Sequence, residues 1–238
     1  MPNDYFQFKQ FTIYQRGAAM KVGTDSVLLG AWANVSEKTA ILDVGTGSGI
    51  LAIMLAQRNA SACIDAVEID ESSFTQAVEN VTRSPWSDRI RLYSQPFQQF
   101  VEKSVYMYDL IVSNPPFFNR SLLSPDGRKN LARHTDSLSQ EDLLSGTVKL
   151  LKPNGVLSVV LPVAEGELFV SKAAEYNLFC HRKTTVKPNP DKPPKRLLLE
   201  FSRSRRGMVE SELCVEEGVR HAYTAAYVNL TKDFYLNF

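Results

Sequence analysis

The chain has 238 residues, enough for one sizeable α/β domain with modest extensions and too few for two full domains. Apolar residues make up 44%, charged residues 22% and the net charge is +1, an ordinary globular balance, and no apolar run approaches the roughly 18 residues of a membrane span. Cys63, Cys180 and Cys214 are odd in number and widely spaced, which argues against a disulfide framework or a zinc site and leaves core packing as their expected role.

The N-terminus, Met1-Pro2-Asn3-Asp4-Tyr5, has neither the basic start nor the apolar core of a signal peptide, so a cytoplasmic location is expected. Residues 6–14 alternate imperfectly and are rich in aromatics. They read as a hairpin, which makes residues 1–20 an extension that packs on the main domain or covers a cofactor. Asp25 or Ser26 is the expected cap of a helix containing Val27 to Trp32. Strands are then expected near 40–45, 63–68, 89–93, 108–113 and 155–161, with helices near 49–59, 71–83 and 139–151. Ser139 followed by Asp142 resembles a capping box with a shortened acid. A helix near 165–176, a strand near 178–187, a stiff basic loop over 188–195 and a strand over 196–201 complete the pattern, the last two strands forming a hairpin at the sheet edge. Alternating strands and helices predict a parallel, doubly wound sheet in a single domain.

Two segments carry chemistry. Residues 41–49, Ile-Leu-Asp-Val-Gly-Thr-Gly-Ser-Gly, are a short apolar strand entering a glycine-rich turn before the helical run Ile50 to Ala56. The dinucleotide fingerprint G-x-G-x-x-G fails, because Ile50 stands where the third glycine belongs. The pattern that fits is D-x-G-x-G-x-G, with Asp43 before the turn and Gly45, Gly47 and Gly49 letting backbone approach a cofactor. Glu68, nineteen residues after Gly49 at the tip of the second strand, is positioned to accept both ribose hydroxyls of an adenosyl group.

The second segment, Asn114-Pro115-Pro116-Phe117, follows the apolar run 109–113. A planar exocyclic amine is a poor nucleophile because its lone pair is delocalised into the ring. An Asn oxygen and the carbonyl of the following Pro can each accept one of its N–H groups and direct the lone pair at a methyl donor, while an aromatic face fixes the plane. Taken alone, the tetrapeptide is equally a Pro-rich strand exit with an aromatic plug. With the glycine turn and Glu68 in this order, methyl transfer to such a nitrogen is the reading.

Charge is unevenly spread. Residues 182–206 carry +7, residues 120–134 carry +3 and residues 1–21 carry +2, leaving the rest at about −11. Three basic islands on an acidic protein fit a polyanion footprint. Arg182 and Lys183, within a strand, read as solubilising surface. Arg120, Arg128, Lys129, Arg133, Lys192 and Lys195, on segments expected beside the catalytic face, read as RNA contacts, and His134 as an RNA contact or a structural residue. His181 and His221 read as structural.

With these residues assembled, the chain resembles the class I S-adenosylmethionine-dependent methyltransferases of the N6-adenine type, and more narrowly the bacterial tRNA1(Val) (adenine-N6)-methyltransferase family. The resemblance rests on Phe8 to Ile13, Lys21-Val22-Gly23-Thr24-Asp25, Leu28 to Trp32, the glycine turn, Asn114 to Phe118, Ala132-Arg133-His134 and Leu230 to Leu236. It implies a Rossmann-like fold with a seven-stranded, mostly parallel sheet, an antiparallel edge hairpin and helices on both faces. It also implies S-adenosylmethionine as cofactor and an adenosine next to the tRNA anticodon as target. Cofactor contacts are implied for Lys21, Thr24, Asp25, Asp43, the three glycines, Glu68 and Asn114, with Thr24 and Asp25 closing over the methionine end. Many such enzymes place an Asp at the third strand tip to hold the adenine, where this chain has Pro96; the Gln95 side chain or the Phe97 backbone N–H is the expected substitute. No metal, membrane or obligate protein partner is implied. Competing readings are a ribosomal RNA guanine-N2 methyltransferase, a protein glutamine methyltransferase, and a noncatalytic RNA-binding scaffold.

Overall fold

Apolar side chains along the central strands divide between two cores, and this division is what places helices on both faces of the sheet. In β3 (Ala40–Val44), Ile41 enters one core while Leu42 and Val44 enter the other. In β6 (Tyr108–Ser113), Leu110 and Val112 oppose Ile111 in the same way. Successive side chains of a strand point to opposite faces, so a sheet covered on both sides needs unbroken apolar runs. The structure, a computed structural model, describes residues 4–17, 21–115 and 138–238.

An eight-stranded sheet forms the middle layer. Its remaining strands are β4 (Cys63–Glu68), β5 (Ile90–Ser94), β7 (Leu151–Pro162), β8 (Phe179–Lys187), β9 (Arg196–Ser202) and β10 (Val209–Cys214). The spatial order is β10-β8-β9-β7-β6-β3-β4-β5, with β9 antiparallel to both its neighbours and every other pairing parallel. One core packs α1 (Thr24–Trp32), α2 (Ile50–Arg58) and α7 (Ala225–Thr231) on one face. The other packs α4 (Phe97–Lys103), α5 (Gln140–Leu150) and α6 (Val163–Glu175) on the opposite face. The chain runs outward from β3 through β4 to β5 and then returns to place β6 on the other side of β3. That reversal is the topological switch point at which open α/β sheets bind ligands.

The expected hairpin is present as β1 (Tyr5–Gln7) and β2 (Thr12–Tyr14). Phe8, Phe11 and Ile13 enter the first core, and the buried Asn80 of α3 (Glu71–Arg83) binds both the N–H and the carbonyl of Tyr14. The same Asn80 amide donates to the Ser48 carbonyl, so the hairpin and the glycine turn share one bracket. The chain's last segment docks beside the hairpin, with Lys9 Nζ donating to the Lys232 and Phe238 carbonyls. The capping box is also formed: Ser139 Oγ accepts from the Asp142 N–H, and Asp142 accepts from the Ser139 N–H.

Several expectations need correction. The sheet has eight strands rather than seven, and β8–β9 is not its edge, because β10 covers β8. Glu210 and Glu212 of β10 pair with Lys183 and Lys187 of β8, so cross-strand charge rather than apolar alternation supports this strand. Helix α1 starts at Thr24 with Gly23 as an unassisted N-cap; neither Asp25 nor Ser26 caps it. Cys63 is exposed and Cys214 half-buried, so neither is a core residue, whereas the half-buried Cys180 does pack against the second core. Arg182 is not solubilising surface: it is half-buried, pairs with Glu200 at 2.9 Å and lies 3.6 Å from the Trp32 ring centre. No described helix is long and apolar enough to cross a membrane.

Candidate active site

Four strands end side by side at the switch point. Their carboxyl ends carry Asp43 to Gly49, Glu68, Gln95 with Phe97, and Asn114. Ser113, fully buried, donates its hydroxyl to the Val44 carbonyl at 2.8 Å, which locks the end of β6 to the start of the glycine turn. Asn114 therefore emerges beside Gly45. Its Nδ2 donates to Ser26 Oγ at 2.9 Å, leaving Oδ1 unengaged by any described residue. Pro115 follows, buried; Pro116 and Phe117 lie outside the described residues, as do Arg120, Arg128, Lys129, Arg133 and His134.

All three glycines of the turn have positive φ, +72° at Gly45, +57° at Gly47 and +82° at Gly49, a region other residues enter only with strain. Their surroundings differ. A Cβ on Gly45 or Gly47 would meet nothing within 4 Å, so these two leave open space on the cleft side. A Cβ on Gly49 would lie 3.5 Å from Ala77 and Val81 of α3, an ordinary contact, so its left-handed φ rather than crowding is what calls for glycine there.

Asp43 is fully buried. One carboxylate oxygen accepts from Thr46 Oγ1 at 2.5 Å, while Oδ1 has no hydrogen-bond partner among the described residues. Burial pushes its carboxyl up to about 7, only partly countered by the Thr46 hydroxyl and a backbone N–H. An unpartnered, desolvated carboxylate oxygen is a receptor for a cationic donor, and the ammonium of a methionine-type cofactor has the matching charge. The open Gly45 and Gly47 positions and this orphan oxygen together fit the group that the glycine turn implies.

Glu68 is nearly buried and already held. Oε2 accepts from the Gly47 N–H at 2.7 Å, and Oε1 accepts from the Ile69 and Asp70 N–H groups, both at 2.9 Å. An ionised carboxylate has about four acceptor positions, so three are in use. Beside it, Val44, Gly45, Gln95, Phe97 and Leu138 line a small cavity of about 40 Å³. Pro96 is the N-cap of α4, and the Phe97 N–H is the first of the donors that a helix leaves without an internal acceptor.

The other sequence candidates lie along the same face. Arg196 Nε donates to Asp25 Oδ2 at 2.7 Å, which joins the start of β9 to the first turn of α1. Lys21 is exposed just before that helix, and Thr24 lines a neighbouring cleft rather than the glycine turn. Val186 pairs with Arg196, and Arg196 with Pro162, so the 188–195 loop does leave the carboxyl end of the sheet. Much of the 182–206 basic island is used structurally: Lys183 pairs with Glu167 and Glu210, Lys187 with Glu212, and Arg203 donates to the Val148 and Leu151 carbonyls. Lys192 and Lys195 are exposed, and their ammonium groups engage no described side chain. His181 is half-buried against Glu200, and His221 is exposed. Sequence offers Ser26 only as a helix cap; nothing local marks it as the partner of Asn114.

The chain matches the family model of the methyltransferase small domain over residues 18–167. It is 48% identical over 236 residues to a tRNA1(Val) (adenine(37)-N6)-methyltransferase of Parabacteroides distasonis, covering 99% of both chains. A protein of that description from Trichodesmium erythraeum is also 48% identical, over the whole of both chains. Among solved structures, a predicted O-methyltransferase from Agrobacterium tumefaciens superposes with a TM-score of 0.70 at 18% identity, covering 88% of this chain and 96% of its own. The TrmK protein of M. capricolum, solved with S-adenosyl-homocysteine, superposes with a TM-score of 0.53 at 16% identity over 79% of this chain and 71% of its own. These last two likenesses are of fold.

Proposed function

The chain belongs to the methyltransferase small domain family and, within it, to the tRNA1(Val) (adenine(37)-N6)-methyltransferases, and from that membership we propose the reaction and the residues that perform it. The enzyme transfers a methyl group from S-adenosylmethionine to the exocyclic N6 of an unpaired adenosine in a tRNA anticodon loop, and works in the cytoplasm. When bound, S-adenosylmethionine supplies a methyl group on a positively charged sulfur. Gly45 and Gly47 admit it to the backbone, Asp43 Oδ1 takes its ammonium group, Glu68 holds its ribose and the Phe97 N–H meets its adenine. Lys21 and Asp25, at the entrance to α1, take the methionine side of the cofactor, while Thr24 faces the neighbouring cleft.

Asn114 Oδ1 and the Pro115 carbonyl each accept one hydrogen of the target amine, which turns its lone pair toward the methyl group, while Phe117 stacks on the base. The amine becomes acidic as the new N–C bond forms and gives its proton to water, so no histidine is assigned. Lys192 and Lys195 contact phosphates.

One observation carries the reading: in a chain nearly half identical to this family over its whole length, Asn114 stands beside the glycine turn with its amide nitrogen held by Ser26 and its oxygen available. The test is incubation of purified enzyme with labelled methyl donor and tRNA, followed by nucleoside mass spectrometry. N6-methyladenosine is the expected product. Label in N2-methylguanosine or in a protein glutamine, with tRNA adenosine untouched, overturns the substrate assignment.

A further inference from the structure

A cleft of about 460 Å³ opens between the chain's two ends and the entrance to α1. Five aromatic side chains line it: Phe6 from the hairpin, Tyr223 and Tyr227 around the start of α7, and Tyr235 and Phe238 from the last segment. The rings are already stacked or edge-on to one another, with Tyr223 5.4 Å from Tyr227 and 4.9 Å from Phe238 between ring centres. Tyr223 is half-exposed, so part of its surface meets solvent.

The position of this cleft is what gives it meaning. Val215 and Glu216 continue β10 past its carboxyl end, their N–H groups donating to the Lys187 and Pro188 carbonyls beyond the end of β8. They and Thr24 line both the aromatic cleft and a second one floored by Leu28, Val186 and Pro188 and edged by Lys195 and Arg196. The two clefts form one trough on the carboxyl side of the sheet, the side that carries Asn114. Thr24 is two residues from Ser26, which binds Asn114. From β6 to β10 the sheet crosses four inter-strand spacings, roughly 19 Å. Tyr223 and Tyr227 follow β10, so the aromatic end of the trough lies toward the β10 edge rather than at the end of β6 that carries Asn114.

We propose that this aromatic cleft is a second base-binding site, taking an unpaired base of the RNA substrate other than the methylated adenosine. Stacking on aromatic side chains is how proteins hold unpaired bases, and a phosphate backbone leading there from Asn114 would pass the exposed ammonium of Lys195. The cleft also offers the Gln7 and Asn237 amides and tyrosine hydroxyls for base edges. The inference rests on the proposed RNA substrate, and it locates part of substrate selection at the joined termini of the chain.

The test uses the full-length enzyme with S-adenosylhomocysteine and an anticodon stem-loop RNA carrying 2-aminopurine at one unpaired position at a time, the target adenosine excepted. At one position at least, binding should change the fluorescence with wild-type enzyme, and Tyr223→Ala should abolish that change. In steady state, Tyr223→Ala should raise KM for RNA by about tenfold or more with little change in kcat or in cofactor affinity. Leu236→Glu, at a residue 51% exposed on the rim, should raise KM in the same direction without touching the packed rings, so the proposal does not depend on the folding of the tyrosine variant. Wild-type KM in both variants, or no fluorescence change at any position on RNA that the enzyme does methylate, overturns the second site alone. If wild-type enzyme methylates no RNA adenosine, the proposed function fails first.

Discussion

The amide of Asn114 donates to the hydroxyl of Ser26, 88 residues earlier in the chain, at 2.9 Å. The hydrogen bond holds the nitrogen, and in the proposed mechanism the oxygen of the same amide accepts from the target amine. Asn114→Ala should slow single-turnover methylation by at least about tenfold, roughly 1.4 kcal/mol of barrier, with cofactor affinity little changed. Ser26→Ala should cost less, on the order of one ordinary hydrogen bond or about 1 kcal/mol, and should appear in the chemical step rather than in KM for cofactor. Rapid-quench measurement of both variants decides it; wild-type turnover in Asn114→Ala removes the mechanism.

Glu68 accepts three backbone N–H groups, which leaves room for about one more bond. Accepting two ribose hydroxyls requires one of the three to give way. Binding of S-adenosylhomocysteine should therefore alter the amide signal or hydrogen exchange of Gly47, Ile69 or Asp70, and Glu68→Ala should weaken binding by about 1.5–3 kcal/mol. Calorimetry that finds Glu68→Ala binding like wild type would show that the ribose is held elsewhere.

Asp43 predicts a pH dependence of both binding and stability. Its carboxyl is pushed up to about 7 by burial, so an ammonium ligand should bind about tenfold more weakly for each pH unit below that value. Above about 8 the free α-amino group itself loses its proton, so affinity should peak between the two. The folded, ligand-free protein holds the Asp43 proton more tightly than the unfolded chain does. Asp43 therefore lowers stability as pH rises from 3.8 to about 7, by on the order of 4 kcal/mol. Asp43→Asn should bind cofactor poorly at every pH and melt higher than wild type above pH 7. A wild-type binding profile flat from pH 5.5 to 7 would contradict the role assigned to Asp43.

Lys192 and Lys195 are the exposed cations of the 188–195 loop. Replacing both with Ala should weaken tRNA binding at low salt and reduce the salt dependence by about one unit of slope for each phosphate that is no longer neutralised. Cofactor affinity should be unchanged. Filter binding across a salt series measures this, and parallel slopes for variant and wild type would exclude phosphate binding at this loop.

Local rules account for the features that were legible in the chain. The alternation of strands and helices, the capping box at Ser139 and the hairpin at 6–14 follow from side-chain periodicity and short-range hydrogen bonds, which act within a few residues. The glycine turn was legible because positive φ at 45, 47 and 49 excludes most other residues, and Asn114 because a strand end followed by two prolines is a local event. The sequence did not separate the roles of the three glycines. Only the fold shows that Gly49 sits against Ala77 and Val81 of α3 while Gly45 and Gly47 face open space.

Relationships between residues far apart in the chain come instead from the three-dimensional packing. Long-range pairing consumed charges that looked available: Arg182 went to Glu200, Lys187 to Glu212 and Arg196 to Asp25, because a partly buried cation without a partner is costly. Strand β10 was illegible, since its mostly exposed residues gain from pairing with β8 rather than from apolar burial. Ser26 meets Asn114, and Phe6 meets Tyr235, only because sheet order and helix packing bring their segments together. No pattern within either segment encodes that meeting; it is a property of how two cores close on one sheet.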